Sequence, residues 1–193
     1  DSNPEPRGKI EHAEQHGQAL AAAVDKALAG KLKPLGGPLR VAMERVELPL
    51  VDPPTKKELE ERRGKGNKYQ QRLTERLLGQ FEQNGSIPAA VRLPVQVVRF
   101  GDDLSLVALG GEVVIDYALR LDKEFPDERL WVAGYSNGVP AYIPSERVLA
   151  EGGYEGGGAM VYFGLHGPFR PGLENRLVEA VRKLMDRCQS PSP

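Results

Sequence analysis

The sequence predicts a mixed α/β fold, a mixed sheet flanked by helices, on three observations. Apolar and charged residues alternate from Leu39 to Leu50, and two apolar runs, Val91 to Phe100 and Leu104 to Leu109, flank a Gly101-Asp102-Asp103 turn. Several other stretches carry apolar residues at helical spacing. Finally, 22 glycines and 16 prolines in 193 residues are too many for a helical bundle and favour a loop-rich chain.

The elements follow in order. Residues 8–29 read as an amphipathic helix with Ile10, Ala13, Leu20, Val24 and Leu28 near one face and Gly30 as its stop. Leu39 to Leu50 is a half-exposed strand. Asp52-Pro53-Pro54-Thr55 breaks the chain and caps a charged helix, which Gly64-Lys65-Gly66-Asn67 kinks or interrupts. The two apolar runs form a hairpin. Val113 to Phe125 is expected to be a helix ended by Pro126, Leu130 to Ala133 a short buried strand, and Ser145 to Ala150 a serine-capped helical turn. Met160 to Phe163 is expected as a last strand and Leu173 to Cys188 as a closing helix. Residues 1–188 are assigned to one portion of a domain and 189–193 to a tail or linker.

Charge narrows the partners. With 26 basic against 27 acidic residues there is no global field to attract nucleic acid. The lone cysteine, Cys188, excludes an internal disulfide. No apolar run approaches the roughly 20 residues that span a bilayer. The basic, glycine-rich turn at residues 64–68 lacks phosphate-loop spacing and reads as a mobile surface turn able to touch anionic head groups.

Chemistry concentrates between Leu109 and Gly157. Glu112 follows two glycines at the end of an apolar strand. It reads either as a first-turn acid on a helix dipole or as a site residue brought close to another group by the glycine bend. Tyr142 lies in a Gly/Asn/Pro-rich loop after a predicted strand, and is either a packed lid residue or a ligand. Strand ends of this kind are where α/β folds build sites. Tyr135, before Asn137, reads as structural. His12 and His16 lie four apart on one helical face. The metalloprotease pattern would need glutamate at Ala13, so a solvated face is the reading. His166, in the Leu165-His166-Gly167-Pro168-Phe169 loop, is a pocket or supporting group. Ser136 and Ser145 have no nucleophile elbow.

The stretch Leu109-Gly110-Gly111-Glu112, with Asn137 five positions before Tyr142 and Tyr154-Glu155-Gly156-Gly157 beyond, resembles the neutral (non-lysosomal) ceramidases. Asp1, Asn3, Pro4, Pro6 and Arg7 are similar to the tail of a turn found in their bacterial members. The resemblance implies a zinc-dependent amidase of N-acylsphingosine, with zinc bound by Glu112 and Tyr142 and with Asn137, Tyr154, Glu155 and His166 contacting substrate or supporting the ligands. It implies that two zinc histidines and a serine nucleophile lie upstream of the matching turn. The chain would then be the carboxyl-terminal part of a larger catalytic domain, inactive by itself, exported to the periplasm or exterior, and acting on a lipid-like amide with peripheral membrane contact. Val113-Val114-Ile115, Val139, Ile143-Pro144-Ser145 and the stretched Tyr162 to Pro168 depart from the family pattern, as in a divergent bacterial branch whose substrate is open. Val139, Ile143, Met160, Phe163, Leu165 and Phe169 are candidate walls for an apolar pocket. Two other readings stand beside this one: a zinc hydrolase of another N-acyl lipid or amide, and a non-catalytic α/β binding or assembly module.

Overall fold

The computed structural model describes residues 5–189, which divide into two compact units on either side of the Gly36–Gly37 boundary. The predicted tail beyond Gln189 and the motif residues Asp1, Asn3 and Pro4 lie outside the described residues. The first unit is built on α1 (Ile10–Leu28). Its apolar residues Ile10, Leu20, Val24 and Leu28 are all exposed. His12 and His16 are half-buried rather than fully solvated, and His16 Nε2 lies 2.8 Å from the Pro6 carbonyl oxygen.

The second unit is the expected mixed α/β fold. Its sheet has the order β1 (Leu39–Pro49), β2 (Ala90–Phe100), β3 (Leu104–Leu109) and β5 (Leu130–Ala133). The first three strands are antiparallel neighbours, and β5 joins β3 in parallel. Period-two alternation decides what each face does. One face carries Leu48, Leu93, Val95, Val97, Val107 and Leu109, all buried within the main core. Helix α7 (Leu173–Arg187) covers it with Leu177, Val181 and Leu184. The other face leaves Leu39, Val41, Met43 and Trp131 exposed, which is why β5 is only half-buried and not the buried strand expected.

The charged region forms two helices, α2 (Lys56–Arg62) and α3 (Lys68–Asn84). Each begins in a reciprocal capping box, Thr55 with Glu58 and Asn67 with Gln70, so the Gly64–Asn67 segment is a genuine break. Leu59, Leu77, Leu78 and Ile87 form a small second core there.

Two expected elements are different. The helix expected from Val113 begins only at Asp116, as α4 (Asp116–Glu124). Glu112–Val113 is a short strand, β4, paired in parallel with β6 (Tyr142–Ile143). β-branched Val113 favours extended backbone and the ladder to β6 holds it there, while Ile115 already has helical backbone angles as the residue before α4. Met160–Phe163 is a short helix, α6, entered through a π-turn at Tyr154–Gly158. Five apolar residues between Gly158 and Gly164 carry no period that separates strand from helix.

Candidate functional site

The site grows from a backbone crossing. After β3 the chain turns through Gly110 and Gly111, and the returning loop is stitched to it. The N–H groups of Gly111 and Glu112 donate to the carbonyls of Gly138 (2.8 Å) and Ala141 (2.9 Å). Tyr135 N–H donates to the Gly111 carbonyl (2.8 Å) and Ser136 N–H to that of Leu109 (3.0 Å). Gly111 has φ +74°, and a Cβ there would stand 2.6 Å from Ile143 Cγ1. The strands can approach only because this residue is glycine.

This crossing sets Glu112 directly opposite Tyr142 in the parallel register. The Glu112 carboxylate is the hydrogen-bonding partner that dominates the titration of both the Tyr142 and the Tyr135 hydroxyls. Both phenols are pushed above their usual range, first by this hydrogen bond, then by desolvation and the carboxylate's charge. Ionising either would forfeit a donated bond and set a second negative charge beside Glu112. Glu112 is therefore not a helix-dipole acid; Asp116 occupies the first turn of α4.

Rings fix Tyr142 in place. Tyr154 meets it edge-on at 5.4 Å between centroids, and Phe163 at 6.2 Å. Beyond β6, the buried Tyr117 hydroxyl donates to the Pro144 carbonyl (2.9 Å), and Ser145 Oγ bonds Asp116 Oδ2 (2.5 Å). Arg147 pairs with the same carboxylate at 3.1 Å. Glu146 Oε1 accepts from Gly172 N–H (2.7 Å), while Glu146 N–H donates to Glu174 Oε2 (2.8 Å). These contacts tie the β6–α5 segment (α5 is Glu146–Glu151) to α4 and α7, so Tyr142 stands on a rigid base.

The other expected residues divide. Tyr154 belongs to the cluster through its ring, and half-buried Glu155 follows it in the π-turn. Asn137, at φ +60°, donates from Nδ2 to Gln96 Oε1 (2.9 Å) rather than to Glu112. His166 Nε2 lies 2.8 Å from the Val51 carbonyl oxygen and lines a separate cleft against the α2–α3 turn, whose walls include neither Glu112 nor Tyr142. Of the expected pocket walls, Ile143 and Phe169 are sealed in the core. Sequence reasoning missed Tyr135 as a partner of Glu112. Its left-handed backbone (φ +53°) is visible only in the structure, and the one sequence signal is the Asn137-Gly138 turn that follows it.

The donor chemistry fits half of an oxygen-ligated metal site: a carboxylate and a phenol oxygen stand opposite each other on adjacent strands. Among the described residues no group of three or more His, Cys, Asp and Glu could hold a metal. Further ligands would have to come from elsewhere.

No family model matches the chain, and no curated protein matches it. Among solved structures, one described as a ceramidase complexed with C2 aligns with a TM-score of 0.36 and 17% identity, over 55% of this chain and 17% of that one. The chain thus spans under a fifth of that structure's length, and a likeness of this size carries no argument about site or activity.

Proposed function

We propose that this chain is the oxygen-ligand part of a zinc-dependent amide hydrolase of the neutral-ceramidase kind, acting on an N-acyl lipid. Glu112 and Tyr142 would hold the metal, and the remaining ligands and the nucleophile come from outside these residues. The observation that carries the reading is the register of Glu112 opposite Tyr142, phenol on carboxylate, at a glycine-built strand crossing. The motif that resembles the ceramidases named the same two residues.

Bound zinc would supply Lewis-acid polarisation of the amide carbonyl. The chain's own residues do the positioning. Gly111 lets the two strands close to ladder distance. The Glu112 carboxylate holds both phenols in their protonated form. Tyr142 keeps its proton against the carboxylate, and a cation at this spot would favour releasing it. The rings of Tyr154 and Phe163 hold the Tyr142 ring edge-on and restrict its rotation.

The test is hydrolysis of a short-chain N-acylsphingosine by the complete gene product. Glu112→Ala and Tyr142→Phe should each lower kcat/KM by about a hundredfold or more while the fold is kept. Undiminished turnover in both variants would remove the assignment. Turnover by the 193-residue chain alone would overturn the claim that it is an incomplete site. A complete product with no amidase activity and no zinc would leave the binding-module reading.

A further inference from the structure

We propose that the cleft between the α2–α3 turn and the Gly157–Gly167 segment is a binding site for a monomeric long-chain aliphatic carboxylate. It encloses about 380 Å³, within the roughly 300–1,000 Å³ typical of small-ligand sites. Its apolar wall is Leu73, Met160, Val161 and Leu165, and its rim carries Arg62 and Lys65. Both cations are exposed, whereas Met160 is buried and the other three apolar residues are half-buried, so charge sits at the mouth and hydrocarbon lies deeper.

The electrostatics choose the sign of the head group. Among the described residues, no Asp or Glu lines this cleft. The neighbouring Arg63 is neutralised by a bidentate pair with Glu75, at 2.9 Å for each bond, and Glu58, the carboxylate that Arg62 attracts, is engaged by Thr55 and does not line the cleft. An adjoining groove of about 250 Å³ shares Leu73 and Val161 and adds Arg72 and Arg76, again without an acid. Four cations over a shared aliphatic wall, in a chain of net charge −1, are a concentrated local field.

The shape favours one chain over a membrane surface. Apolar side chains that line a concavity contact an inserted hydrocarbon and are held back from a flat bilayer, whose docking surfaces project theirs. The polar wall is already occupied: Thr74 Oγ1 donates to the Gln70 carbonyl (3.0 Å) and His166 is engaged with Val51. That leaves the rim cations to recognise the head. This inference does not rest on the zinc reading, since neither Glu112 nor Tyr142 borders the cleft.

Isothermal titration of the full chain with sodium dodecanoate, below its micelle concentration, is the test. One site per chain is expected, with butanoate and dodecyltrimethylammonium each at least about tenfold weaker. The double variant Arg62→Glu/Lys65→Glu, both exposed positions, should weaken dodecanoate about tenfold or more with an unchanged circular dichroism spectrum. Equal affinity for the cationic amphiphile, or for dodecanoate in the double variant, would overturn the proposal. So would binding to phosphatidylglycerol vesicles with none to dodecanoate, which would make the face a membrane contact.

Discussion

At the crossing of Gly111 and Ala141 the chemistry on offer is a carboxylate ringed by phenols. In the cleft beside Met160–Gly167 it is guanidinium and ammonium over an aliphatic wall. The first lies within the Leu109 to Gly157 stretch that the sequence marks, the second takes its cations from residues 62–65 and most of its wall from beyond Gly157, and they differ in how they are held. The first depends on backbone: a ladder of short strands, a left-handed glycine and a rigid base through Tyr117 and Ser145. The second depends on side chains donated by a distant helix pair. A site fixed by backbone should break when the backbone is perturbed. A site assembled from exposed side chains should lose its ligand and keep its fold.

Gly111→Ala tests the backbone half most severely. The new Cβ would stand 2.6 Å from Ile143 Cγ1 and 2.9 Å from the Ala141 carbonyl, at φ +74°. Overpacking and left-handed strain together should cost about 3 kcal/mol, read as a lower denaturant midpoint. Tyr117→Phe removes the hydroxyl from the Pro144 carbonyl inside the core, and should cost about 1–2 kcal/mol. Thr55→Ala, on the side of the molecule that carries the cleft, loses one capping box and should cost about 1 kcal/mol. Arg62→Glu/Lys65→Glu should cost only a few tenths to about 1 kcal/mol, since Arg62 leaves the last turn of α2 and its attraction for Glu58, the smallest change in the series.

The same base makes a pH prediction at each end. Arg147, and then Ser145, hydrogen-bond the Asp116 carboxylate and hold it below its ordinary 3.8. Its contribution is therefore complete above that value and lost as pH falls further, through the folded value. Burial, reinforced by Glu174 and Glu146, raises Tyr117 well above 10.0. Its contribution is complete below about pH 10 and lost as pH climbs beyond. Stability profiles of Asp116→Asn and Tyr117→Phe should flatten the acid and alkaline limbs respectively.

Much of the architecture was legible because its signals are local. The Asp52 to Thr55 break announces a helix start, Gly64 to Asn67 an interruption, the Gly101-Asp102-Asp103 turn a hairpin, and Ser145 caps α5. Where the signal is shared the reading failed. Val113 to Ile115 continue the apolar pattern of α4, yet Glu112 and Val113 pair as a strand because Tyr142 and Ile143 lie alongside, and the helix starts only at Asp116. Met160 to Phe163 are apolar in either conformation and the π-turn winds them into a helix. In the site, Glu112 and Tyr142 were marked by motif and their juxtaposition is real. His166 was grouped with them by proximity in sequence, but Val51 fixes it on the cleft side. Tyr135 escaped notice because only a left-handed backbone turns it back towards Glu112.

The central claim is that Glu112 and Tyr142 share a cation. It is tested most directly by titrating zinc into the 193-residue chain while following the Tyr142 ring and Glu112 side-chain resonances by NMR. The account predicts weak, saturable shifts at both residues, together with perturbation of Tyr135, all abolished in Glu112→Gln. Unmoved resonances at Glu112 and Tyr142, with zinc instead perturbing His12 and His16, would contradict it.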